Sequence, residues 1–264
     1  MGIGGWCDAS EVEDDKLFGS GVRVIPLELL LVAATALVAS TLAAVAGFGG
    51  AAVLLPILVS AFGVRDAIPI LTIAQLIGNG SRVWFNRTEL RLGVVAWFAL
   101  GGVPAAVVGG LLFAVAPLSA LTRLLGAFLL VLVAWRHLRP GPPRHIPQRS
   151  FAVLGAVASF LSALLGSVGP FMAPFFLAYG LVKGAYIGTE ALSTVVMHIT
   201  KLVTYGGVSL LTPTSLAAGL ALGPIMVAGS WIGKRIVDRL PEGAFVAIIE
   251  GVLVVAGLAL LAGG

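Results

Sequence analysis

Two groups of polar residues stand at spacings that could do chemistry in an otherwise apolar chain. Gln75, Asn79 and Arg82 fall at i, i+4 and i+7; Glu190, Thr194, His198 and Lys201 fall at i, i+4, i+8 and i+11, with Tyr205 one turn further on. Both spacings put their members on one face of a helix. Arg82 and Lys201 supply positive charge suited to an anion, and Gln75, Asn79, Ser193, Thr194 and Tyr205 supply donors. An ionisable group at the centre of a bilayer costs about 2.5–3.5 kcal/mol even on the lenient insertion scale. Such stripes should therefore face a cavity or each other. Bland alternatives exist for each. Arg82 could snorkel to headgroups beside Arg87, His198 could be a core histidine bonded to a carbonyl, and Glu190 could pair with Lys183, seven residues away. Glu190, His198 and Glu250 are the candidates for carrying a proton. Glu250, alone in "VAIIEGVLVV", could equally be hydrogen-bonded packing.

The elements that position these residues are membrane helices. Of 264 residues, 59% are hydrophobic and 11% charged, against about 25% charged in an ordinary soluble domain. Mean hydropathy is +1.07. A spanning helix needs roughly 20 mostly apolar residues. Apolar runs between breakers cover about 27–46, 50–62, 66–85, 92–115, 118–138, 151–165, 169–180, 186–206, 214–233 and 243–262. The expected class is an all-α polytopic membrane protein of about ten hydrophobic segments, eight to ten of them transmembrane. Two segments, 50–62 and 169–180, are too short to cross comfortably and are expected to be broken or re-entrant. The first 25 residues are acidic and lack an apolar core, so the first spanning helix is expected to do the targeting. The single cysteine, Cys7, excludes an internal disulfide, and no metal-ligand spacing occurs.

Both short segments follow glycine-rich breaks, "AGFGGA" at 46–51 and "GSVGP" at 166–170. A helix starting inside the membrane leaves its first N–H groups unpaired and its positive dipole end exposed. That end can hold an anion, and glycine lets the anion approach the backbone. Gly47, Gly49 and Gly50 in the first break, with Gly166 and Gly169 in the second, are therefore candidate binding residues. A leucine at Gly50 or Gly169 is expected to fill the anion's place without unfolding the protein. Small-residue packing is the competing explanation.

The breaks belong to a longer correspondence. Gly47 and Gly50 recur 119 residues later as Gly166 and Gly169, Pro56 recurs 118 later as Pro174, and Arg82 meets Lys201 at 119. Pro104 and Gly109 reappear at 120 as Pro224 and Gly229. Six pairings in order predict two repeats, 27–138 and 151–264, joined by a basic loop at 139–150. Loops rich in Lys and Arg stay cytoplasmic. Arg87 and Arg91 follow the third segment of the first half, whereas 207–213 after the third segment of the second half is uncharged. The repeats are therefore expected to be inverted, with the acidic tail 1–26 and the C-terminus extracytoplasmic and the 139–150 loop inside. Trp84, Trp97, Trp135 and Trp231 sit near segment ends, as interfacial anchors would.

The pattern "GFGGAAVLLPILVSAFGVRDAIPILTIAQLIGN", half-repeated as "GSVGPFMAPFFLAYGLVKGAYIGTEALSTVVMHITK", resembles the TauE/SafE family of membrane permeases over about residues 27–262. The resemblance implies a secondary transporter in the cell (inner) membrane for a small anion such as sulfite, an organosulfonate or a short carboxylate, often moved outward. Inverted repeats with interrupted helices suit alternating access, and the acidic and histidine side chains make it compatible with proton coupling. A passive anion channel, and more remotely an intramembrane enzyme or scaffold, are the alternatives. No G-x-x-x-x-G-K-[ST], H-E-x-x-H or G-x-S-x-G pattern occurs. Ser193 and His198 are five apart, poorly aligned for catalysis on a helix. The expectation is no enzyme, no catalytic residue, no metal and no cofactor. The expected partners are the anion and the lipid bilayer, with a homodimer as an option and no nucleic acid.

Overall fold

The computed structural model describes residues 26–48, 50–117, 146–166, 168–245 and 247–248, and every regular element among them is helical. The elements are α1 (Pro26–Ala46), α2 (Gly50–Phe85), α3 (Leu92–Val115), α4 (Ser150–Leu165), α5 (Gly169–Ala178), α6 (Lys183–Gly207), α7 (Pro213–Ala221) and α8 (Gly223–Arg239). The expected segment 118–138, most of 243–262, the acidic tail, Gly49, Trp135 and Glu250 lie outside the described residues.

Glycine and proline set the boundaries. α1 ends where Gly47 turns left-handed at φ 79°, and α4 ends where Gly166 does so at φ 81°. The expected segments 50–62 and 66–85 run together as α2, with a break at Gly63 (φ 75°, ψ 162°), a conformation open to glycine at little steric cost. Gly180, at φ 91°, follows α5 in the same way. The expected segment 214–233 divides at Leu222 into α7 and α8. Pro224, in the first turn of α8, has no amide hydrogen to continue the ladder.

Among the described residues, three stretches are long and apolar enough to cross a membrane: Val53–Phe85, Leu92–Val115 and Pro213–Arg239; Leu30–Ala46 and Ser150–Leu165 are apolar but shorter. α6 has the length, 25 residues, but carries the polar stripe. Its polar face points inward: Glu190, Thr194, His198 and Lys201 are buried, while Ile199 and Val203 are exposed. Burying the polar residues and exposing the aliphatic ones suits lipid as the surrounding solvent. Trp84 and Trp231 lie at exposed positions under the guanidinium groups of Arg87 and Arg235, 4.7 and 4.6 Å from the ring centroids. Such stacking fits the expected interfacial anchors.

α1 packs along α8, and α3 packs along α4. Both contacts are close because glycine removes side chains from the seam. A Cβ at Gly155 would strike the backbone of Phe98, and one at Gly233 would strike Ala44. α2 and α6 lie between these pairs, against each other. Their shared polar faces meet the ends of α1 and α4.

Candidate functional site

Breaking a helix in lipid leaves carbonyls that only protein can satisfy. At the end of α1, Arg82 Nη1 donates to Ala43 O at 2.9 Å and to Gly47 O at 3.3 Å. Tyr186 OH donates to Ala46 O at 3.0 Å. At the end of α4, Tyr205 OH donates to Ala163 O at 2.6 Å, and the Gly166 amide donates to Ser162 O. Part of each polar stripe thus closes a helix end. Two apolar clusters support this: Phe176 and Phe245 pack edge-on to Tyr186, and Phe113 packs against Tyr205.

The opposite ends, where α2 and α5 begin, open on a cavity of about 40 Å³. It is lined by Ala43, Gly47, Phe48, Gly50 and Ala51; by Gln75, Asn79 and Arg82; by Ser162, Gly166, Val168, Gly169 and Met172; and by Glu190, Thr194, Met197 and His198. Neither first turn carries an acidic residue, and Val168 before α5 makes no side-chain cap. A cavity of this size has room for about three waters, the scale of a small oxyanion.

Its polar groups form one network around Arg82, which is 4% exposed. Nη2 donates to Asn79 Oδ1, and Nη1 lies 3.6 Å from Glu190 Oε2. Thr194 Oγ1 donates to Glu190 Oε1 at 3.0 Å. Three buried lining atoms have no hydrogen-bond partner within the described residues: Gln75 Nε2, Glu190 Oε2 and His198 Nδ1. An amide nitrogen donates, and an imidazole nitrogen can. Buried polar atoms of native proteins are rarely left unpaired, so a cluster of them marks a place for a ligand or ordered water.

Of the residues singled out from the sequence, Gly47, Gly50, Gln75, Asn79, Arg82, Gly166, Gly169, Glu190, Thr194 and His198 line this cavity. Ser193, Lys201 and Tyr205 are buried but do not. Ser193 Oγ donates to Thr189 O one turn back, and Lys201 Nζ donates to Ser162 Oγ at 3.3 Å, one side chain behind the wall. Arg82 turns inward rather than snorkelling. Glu190 pairs with Arg82, 108 residues away, rather than with Lys183. Gly50 is both lining and packing, because a Cβ there would come within 2.6 Å of Ala39 O. A leucine at Gly50 would therefore disturb the α1–α2 contact, contrary to the expectation of an intact fold.

Sequence reasoning missed Ser162 and Tyr186. Ser162 lies in the apolar run "SFLSALL", though it aligns with Ala43 at the 119-residue offset. Tyr186 lies one turn before Glu190 and extends its stripe, a signal that was present. A larger groove of about 600 Å³ between Ile77, Phe85, Leu220, Val227 and Trp231 is almost wholly apolar and offers an anion no donor.

An apolar helical body whose interrupted helices enclose a small polar cavity is the architecture of a membrane protein. The family model for the sulfite exporter TauE/SafE matches residues 32–260, and the chain belongs to this family, which is one of membrane transporters and not of enzymes. No curated protein and no solved structure matches the chain.

Proposed function

We propose that the protein is a secondary transporter that binds a small anion, sulfite or an ion of that size, in the Arg82 cavity and moves it across the cell membrane by alternating access. The observation that carries this reading is the convergence of two helix starts with two nitrogens, Gln75 Nε2 and His198 Nδ1, that have no hydrogen-bond partner among the described residues, around one buried guanidinium. Charge-assisted bonds from such donors are the strong ones. The volume favours sulfite over longer sulfonates. Outward movement, as the family's description suggests, is the proposed direction.

Two inverted repeats, 27–138 and 151–264, supply the moving parts in this reading. Several features support the pairing. Gly47 and Gly166 share one left-handed conformation, and Gly63 and Gly180 both break at positive φ. Arg82 and Lys201 each reach back 39 residues, to Ala43 O and to Ser162 Oγ. The first segment of each half packs on the fourth apolar segment of the other, α1 on α8 (from segment 214–233) and α4 on α3 (92–115). The halves could then rock about the α2–α6 contact.

The reading is tested in liposomes containing the purified protein. Sulfite uptake should saturate, and internal unlabelled sulfite should drive transient accumulation of labelled sulfite against its gradient. Linear flux without such counterflow would point to a channel. The orientation is tested separately in whole cells. Native Cys7 should react with a membrane-impermeant thiol reagent, while a cysteine replacing Gly141 in a Cys7→Ser background should not. The reverse pattern would invert the topology.

A further inference from the structure

The cavity contains a contradiction for an anion site. Of its three unpaired polar atoms, Gln75 Nε2 and His198 Nδ1 can donate to an anion, but Glu190 Oε2 is itself a carboxylate oxygen. It occupies the side of Arg82 that an anion would seek. Its hold there is loose. The 3.6 Å separation from Nη1 exceeds the roughly 2.7–2.9 Å of a charge-assisted hydrogen bond, and Nη1 already donates to two carbonyls. The contact is Coulombic and has no directed bond to lose.

We propose that Glu190 is a built-in counter-ion which the substrate displaces together with a proton, so that each anion bound at Arg82 is accompanied by one proton taken up by Glu190. This rests on the anion reading above and names its coupling residue. The balance is simple. The carboxylate accepts one proton from whichever water face is open and becomes a neutral acid, and no other bond is made or broken. Glu190 Oε1 keeps the Thr194 hydroxyl as donor. The new acid O–H can donate to the anion, which converts the one repelling atom of the cavity into a third donor. Two negative groups against a single guanidinium would repel at a few ångströms in a poorly screened interior, so proton and anion favour each other's binding.

The charged and titratable groups around Glu190 are few. Arg82 faces it from α2, while Tyr186, His198 and Lys201 share α6. The described lining residues of α1, α4 and α5 are all uncharged. His198 is the alternative proton carrier, but protonating it adds charge without removing the carboxylate from Arg82. The neutral imidazole already suffices as a donor.

The test uses methanesulfonate, a strong-acid anion that stays singly charged across the working range, so any proton taken up goes to the protein. Titration calorimetry of the purified full chain near pH 8, in two buffers of different ionisation heat, counts protons per anion bound. The expected result is about one for the wild type and about zero for Glu190→Gln. Wild-type affinity should weaken by about tenfold per pH unit on the alkaline side, while Glu190→Gln should be flat. Glu190→Asp, which keeps a titrating group, should hold the count near one and shows whether loss in Glu190→Gln is chemical or a folding failure. His198→Gln should also keep it near one. Binding without proton uptake in the wild type overturns the exchange while leaving the anion site standing. An unchanged count in Glu190→Gln with loss in His198→Gln transfers the role to His198 and overturns it equally. Absence of both sulfite and methanesulfonate binding removes the anion reading itself.

Discussion

Replacing Arg82 by methionine should abolish anion binding and lower the stability of the folded protein by about 3–5 kcal/mol, the range for breaking a buried ion pair from one side. Methionine keeps the apolar stem of the side chain and removes the guanidinium, so most of the loss is electrostatic. Glu190, 4% exposed, would be left as a buried carboxylate facing no cation. That total includes the Ala43 and Gly47 carbonyls, which would lose their guanidinium donor. The double variant Arg82→Met/Glu190→Gln should recover a large part of the stability, because the stranded charge is gone. It should recover none of the binding. Thermal unfolding in detergent, read beside sulfite calorimetry, separates the two effects. If Arg82→Met were as stable as the wild type, the guanidinium could not be holding the end of α1 and countering Glu190.

Gly47→Ala should cost between about 2 and 5 kcal/mol, far more than one methyl group normally does. Two causes add. Gly47 sits at φ 79°, where an L-residue pays roughly 1–2 kcal/mol. Its Cβ would also overlap the Tyr186 ring, and overpacking a filled site typically costs about 1–3 kcal/mol. Moving the ring would endanger the bond from Tyr186 OH to Ala46 O. Gly166→Ala is the internal control. Its φ is nearly the same, 81°, but a Cβ there would meet only Leu55, Ile68 and Leu71 side chains at 3.4–3.5 Å, ordinary contact. It should therefore lose only the conformational part, about 1–2 kcal/mol. Equal losses at the two glycines, measured by thermal unfolding under one condition, would contradict the tight Tyr186 contact.

Much of this architecture was legible because lipid makes simple demands of a sequence. Long apolar runs ended by glycine and proline located α1 and α3 to within a residue, and the starts of α2 and α5 fell at the expected glycines. Helical spacing also identified the inward faces, since a polar stripe on a membrane helix has nowhere else to go. The continuous course of α2 was not legible. Gly63 reads as a terminator, and nothing local says that the chain resumes helix at once beyond it. The division of 214–233 depends on Pro224, which reads equally well as a kink.

Most of the polar residues that line the cavity were legible as a set, but not as a set of partners. Periodicity says that Arg82 and Glu190 both face inward; it cannot say that they face each other across 108 residues. Lys201 shows the same limit. Its place opposite Arg82 in the proposed repeat made it the natural substrate cation, yet a serine at 162, where the first half has Ala43, supplies its hydrogen-bond partner behind the cavity wall. Gly50 was read as an opening for a ligand, and half of its role is close packing on Ala39.

The central claim is that a small anion sits between the starts of α2 and α5 against Arg82. Selenite, the heavier analogue of sulfite, carries an anomalous scatterer and would mark its own position in crystals of the protein. The account predicts one anomalous peak inside the cavity bounded by Gly50, Gly169 and His198, with an oxygen within about 3 Å of the Arg82 guanidinium. A peak elsewhere in the helical body, or an empty cavity at selenite concentrations that saturate transport, would contradict it.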